Sequence, residues 1–137
     1  MAREVKNVAM EWKGHLRFAG GEPGKPEILL DGDSETSQSP MVALLVAAAG
    51  CTMADVVVTL RKMRVELHAF RVEVAGTRRE EEPRRYVAIR FVYHVKGAGL
   101  DEVKARRAID LSIEKYCSVM HSLAKDIETS YGLVLES

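Results

Sequence analysis

The chain is 137 residues long and carries twenty Lys and Arg against twenty Asp and Glu, a formal net charge of zero. That balance lacks the basic excess of a nucleic-acid or anionic-membrane binder, so neither partner is expected. The length fits a single domain, 1–137, large enough to build a core without staples.

Taken in order, Val5, Val8, Met10, Trp12, Leu16 and Phe18 alternate loosely, and a period near two predicts strands with one face buried. Gly20-Gly21-Glu22-Pro23-Gly24 predicts a turn, Glu27 to Leu30 a short strand, and 34–39 a polar loop. Ser39-Pro40 is an N-cap followed by Pro at the first helical position, opening a helix to about Arg64. This stretch is apolar on nearly every side, which predicts a buried helix. Its uninterrupted apolar run, Met41 to Cys51, is eleven residues. A bilayer span needs about 20, so it is read as a core helix and not a membrane segment.

Val65 to Val74 and Tyr86 to Val95 are rich in β-branched and aromatic residues and predict a hairpin. The charged run Thr77 to Arg85 is its solvated tip. Gly97 to Leu100 predicts a turn and Asp101 an N-cap. Apolar residues then keep helical spacing from Val103 to Ile127, with a break expected near Tyr116-Cys117-Ser118. Tyr131 to Leu135 predicts a last strand. The class is α+β.

Residues 1–20 contain no apolar run of the leader-peptide kind, so a cytoplasmic location is expected. In that reducing compartment a structural disulfide is disfavoured. Cys51 and Cys117, 66 positions apart, are then either two packed thiols or a redox couple. Cys51 reads as a small buried hydrophobe or as a reactive thiol. Cys117, at a helix start, is expected to have its thiolate favoured by unpaired amides. A thiolate that attacks peroxide becomes a sulfenic acid, and a second thiol resolves it. Such a thiolate needs a nearby cation. Arg17 is the candidate stabiliser, on the strand face opposite Trp12, Leu16 and Phe18; the alternative is a solvent-facing strand arginine. Asp55, one turn past Cys51, is a functional carboxylate or a cap for a neighbouring loop. His121 lies four residues past Cys117 and reads as surface or core. His15, His68 and His94 have no metal-ligand spacing, so no metal and no cofactor are expected.

Several stretches together resemble the OsmC/Ohr family of thiol-dependent hydroperoxide reductases, in its OsmC-like, YhfA-type branch. They are Ser39-Pro40-Met41; Ala49-Gly50-Cys51-Thr52 with Asp55-Val56-Val57; and Asp110-Leu111-Ser112 with Glu114-Lys115-Tyr116-Cys117-Ser118-Val119. Asp31-Gly32 and Arg78-Arg79-Glu80-Glu81 with Pro83-Arg84 add to it. The resemblance implies an OsmC-like fold: antiparallel sheets wrapped around two central cysteine-bearing helices in an intertwined homodimer. It implies Cys51 as peroxidatic and Cys117 as resolving thiol, an organic hydroperoxide as substrate, and a dithiol reductant such as a lipoyl protein. The sequence departs from the family at one point. The glutamate common just after the helix-opening Pro is replaced by Met41 and Val42. The alternative function is therefore a non-catalytic small-molecule-binding or redox-sensing protein.

Overall fold

A computed structural model describes residues 3–137. The chain forms two compact units, divided between Leu44 and Leu45.

In the first unit β1 (Ala9–Trp12), β2 (Arg17–Gly21) and β3 (Ile28–Asp31) form an antiparallel sheet in that order. Gly20 and Gly21 end β2 instead of forming the expected turn. A Cβ on Gly20 would sit 1.9 Å from the Ala9 carbonyl oxygen, so this glycine serves close strand approach. The alternation near the N-terminus predicts a buried face, yet Met10, Trp12 and Leu16 are exposed in the single chain. After β3 the buried Asp31 organises the loop. Its Oδ1 accepts the Asp33 amide at 2.8 Å, and its Oδ2 accepts the Thr36 amide and hydroxyl, each at 2.9 Å. The amides of Thr36 and Asp33 hold its carboxyl down at about 2.

Helix α1 (Pro40–Lys62) opens on Ser39, whose Oγ accepts the Val42 amide at 3.2 Å. It closes with Arg64 in the left-handed region at φ 61° and a bond from the Val65 amide to the Leu60 carbonyl. That is the Schellman arrangement, here with arginine at the position usually held by glycine. The expectation of all-round burial is not met in the single chain. Its buried residues are Ala48, Thr52, Val56 and Leu60, one stripe at four-residue spacing, while Val42, Val46 and Val58 are exposed. By length and composition alone α1 could cross a bilayer, the one such helix among the described residues.

The second unit continues with β4 (Glu66–Arg78), β5 (Tyr86–Ala98), α2 (Glu102–Leu111), a π-helical turn (Ser112–Tyr116), α3 (Ser118–Ser122) and β6 (Glu128–Leu135). The sheet order is β4-β5-β6. β4 and β5 pair antiparallel as the expected hairpin, both longer than the sequence suggests. β6 joins β5 in parallel, a departure from all-antiparallel sheets. The connection through α2 and α3 is a crossover, which returns the chain in the same direction. The hairpin tip is charged but organised: Arg78 and Arg79 donate to the carbonyls of Arg84 and Pro83 at 2.6 and 2.7 Å.

Ile89, Phe91, Tyr93 and Val95 on β5 are buried with period two, as are Ala105, Ala108 and Ile109 on one face of α2. Burial of each large side chain contributes about 1.5–3 kcal/mol. Tyr93 centres an aromatic row, stacked on Phe70 and Phe91 at 6.3 and 5.8 Å and edge-on to Tyr131 at 5.9 Å.

Candidate active site

The site lies in the second unit. Cys51 and Asp55 are one turn apart on α1, so their side chains share a face. Cys117 arrives by a different route. The Cys117 amide bonds to the Ser112 carbonyl at 2.7 Å, the five-residue spacing of a π turn. Such a turn inserts one extra residue and re-aims the chain beyond it. The helix therefore breaks where expected, and Cys117 becomes the N-cap of α3, with its Sγ 3.5 Å from the Met120 amide.

The outcome is a tight group. The Sγ atoms of Cys51 and Cys117 and a carboxylate oxygen of Asp55 all lie within 4.8 Å of one another. Both thiols are free, Cys51 half-buried and Cys117 buried. A disulfide asks the sulfurs to close to about 2.05 Å. Ser112, buried, donates its hydroxyl to Asp55 Oδ2 at 2.8 Å.

The electrostatics of Cys117 differ from the expectation of a favoured thiolate. Burial pushes the thiol up to about 11, and the neighbouring Cys51 and Asp55 raise it further; the Met120 amide only partly opposes this. One amide of a five-residue helix is outweighed by desolvation. Tyr93 borders the same group. Burial pushes its phenol up to about 12 against the influence of Thr52, with the charges of Cys117, Tyr131 and Asp55 adding to the rise. Its hydroxyl is buried with no hydrogen bond of good geometry, while the Thr52 hydroxyl donates to the Ala49 carbonyl at 3.2 Å.

Beside Asp55 opens a cavity of about 380 Å³ lined by Val58, Thr59, Lys62, Leu111 and Tyr116. Val58, Leu111 and Tyr116 give it apolar walls.

Of the residues singled out from the sequence, Cys51, Cys117 and Asp55 come together. His121 is exposed. Arg17 lies in the first unit, its Nε 3.9 Å from Asp31 Oδ2. Two residues of the site carry no sequence signal of their part in it. Ser112 stands in the stretch before Cys117 with nothing to mark its hydroxyl, and Tyr93 reads only as a strand aromatic. Asp31 is likewise not marked by the sequence as the carboxylate beside Arg17.

A family model described as OsmC-like protein matches residues 32–131. This chain belongs to the OsmC-like family. Protein YhfA of Escherichia coli strain K12 is 38% identical to this OsmC-like chain over 124 residues, covering 90% of it and 92% of YhfA. A hypothetical protein from Aquifex aeolicus VF5 shares 30% identity at a TM-score of 0.84, over 98% of this chain and 100% of its own. An organic hydroperoxide resistance protein OsmC from Legionella pneumophila superposes at a TM-score of 0.69 with 10% identity, over 98% of this chain and 99% of its own. At that identity the likeness shows a shared fold. The fold is therefore the α+β OsmC-like fold, and the Legionella pneumophila organic hydroperoxide resistance protein shares it.

Proposed function

We propose that this single-domain OsmC-like protein is a thiol peroxidase for organic hydroperoxides. The observation that carries the reading is the approach of two free sulfurs, 66 positions apart in sequence, to within 4.8 Å. Half-buried Cys51 is the attacking thiol because a peroxide reaches it more readily than buried Cys117. Its thiolate attacks the distal peroxide oxygen and the O–O bond breaks. The alkoxide leaves and takes a proton as the alcohol, and Cys51 becomes a sulfenic acid. The Cys117 sulfur then attacks the Cys51 sulfur. The S–O bond breaks, the S–S bond forms, and hydroxide leaves with the Cys117 proton as water. Two electrons from a dithiol, of the lipoyl-protein class, restore both thiols.

Arg17, the candidate from the sequence, is kept as the proposed cation for a Cys51 thiolate on the sequence reading alone. It is an arginine with a carboxylate beside it, Asp31 at 3.9 Å, itself fixed by backbone amides. That pairing offers a substitute for the glutamate that Met41 and Val42 replace. The apolar walls of the cavity beside Asp55 favour an organic hydroperoxide over hydrogen peroxide. Exposed Val42 and Val46, one turn apart, leave an apolar patch on α1 that a second copy would cover, so the working form is a homodimer. Asp55 bonded to Ser112, and Thr52, Val56 and Leu60 buried against protein, fit a soluble cytoplasmic dimer better than a membrane span.

The test tracks thiol loss and intact mass after mixing reduced protein with cumene hydroperoxide or hydrogen peroxide. Rapid loss of two thiols and two hydrogens, faster with cumene hydroperoxide, is the expected result. Cys51→Ser should abolish peroxide consumption, Cys117→Ser should stop at the sulfenic acid, and Arg17→Ala should slow only the first step. Consumption unchanged in Cys51→Ser would overturn the reading. Rates no better than free thiol would favour ligand binding in the same cavity, in line with the absent glutamate.

A further inference from the structure

We infer that the reduced side chains of Cys51, Cys117 and Asp55 form a site for a thiophilic divalent cation of the zinc class, with its fourth position open to solvent. The geometry is close to what such an ion demands. A tetrahedral ion holds sulfur at about 2.3 Å and carboxylate oxygen at about 2.0–2.2 Å, which sets the sulfurs about 3.8 Å apart. The three donor atoms already lie within 4.8 Å of one another, so side-chain shifts of about 1 Å close the site.

Two of the three donors are already held by outer bonds. Ser112 donates its hydroxyl to Asp55 Oδ2, and the Met120 amide faces Cys117 Sγ. Outer-shell bonds of this kind orient the ligands of metal centres. An independent observation concerns Tyr93. Its hydroxyl is buried beside Thr52 with no hydrogen bond of good geometry, in the field of Cys117 and Asp55. A buried hydroxyl left unpaired is costly, and a water on the open coordination position is a natural acceptor for it. Half-buried Cys51 gives the ion its way in.

Binding is a substitution, not a redox step. Two metal–sulfur bonds form, and every S–H bond present at the two cysteines breaks with its proton passing to solvent. The disulfide form offers no thiolates and does not bind. Histidine spacing gives no hint of this set, because its two sulfurs are 66 positions apart and no histidine belongs to it. The site needs only reduced side chains and is independent of any reaction with peroxide.

The experiment titrates the reduced full-length protein with Co²⁺ in the absence of peroxide. The expected result is one ion per chain, a sulfur-to-cobalt charge-transfer band, visible bands of four-coordination, proton release on binding, and displacement by Zn²⁺. Ser112→Ala should weaken binding about 10–100-fold, and Asp55→Ala at least as much. Cys51→Ser and Cys117→Ser should each abolish one-to-one binding, with circular dichroism confirming that the variants remain folded. No band in the wild type, a full band in either cysteine variant, undiminished binding in Asp55→Ala, or binding by the disulfide form would overturn the inference.

Discussion

The Ser112 hydroxyl donates to Asp55 Oδ2 at 2.8 Å, joining the π turn to α1 across 57 positions of sequence. This bond sets the carboxylate beside both sulfurs. Removing the hydroxyl leaves a charged acceptor short of a partner, a loss of about 1.5–3 kcal/mol, toward the lower end because Asp55 is only half-buried. Ser112→Ala is therefore expected to lower the urea midpoint without changing the slope. On the peroxidase reading it also slows disulfide formation more than sulfenic-acid formation, which single-turnover mass spectrometry separates.

Gly76 pairs with Ile89 in the hairpin, where a side chain would collide with a ring. A Cβ there would lie 2.5 Å from the Tyr86 ring and 3.0 Å from a Leu45 methyl. Gly76→Ala should destabilise by about 1–3 kcal/mol through overpacking. A lower thermal midpoint checks it.

Asp31 makes stability depend on acid. Its carboxyl is held down at about 2 from an ordinary value of 3.8, first by the Thr36 amide and then by that of Asp33. A lowered value means stability that is present above the ordinary value and lost as pH falls through the folded one. The thermal midpoint of the wild type should drop between about pH 4 and pH 2. Asp31→Asn should already be less stable at neutral pH and show a shallower drop across that window. Parallel curves would show that Asp31 is not the responsible group.

Arg64 holds φ 61° at the end of α1, a region that costs a side-chain-bearing residue about 1 kcal/mol or more. Arg64→Gly relieves that strain and gives back part of it in unfolded-chain entropy. The expected net gain is up to about 1 kcal/mol, read as a higher urea midpoint. A decrease would mean that the arginine side chain makes a stabilising contact outweighing the strain.

Local pattern determined much of this protein. The Ser39-Pro40 cap, the apolar helix, the β-branched hairpin and the Asp101 cap are signals carried by neighbouring residues, and their elements appear in the structure. The motifs around Cys51 and Cys117 are likewise legible, and the family they resemble is the family the chain belongs to. Gly20 misleads because a glycine that admits a neighbouring strand looks in sequence like a glycine that turns the chain. The parallel pairing of β6 depends on where the crossover returns the chain, and no local periodicity encodes that.

The site itself was decided by tertiary structure. Cys51 and Asp55 share a helix face, which spacing reveals. The approach of Cys117, the bond from Ser112 and the buried Tyr93 hydroxyl depend on an extra residue in a π turn and on how α1, α2 and β5 pack. The rise of the Cys117 thiol has its origin in that same packing. Desolvation belongs to the folded surroundings of a side chain, so sequence could name the helix terminus that favours a thiolate but not the burial that overrides it.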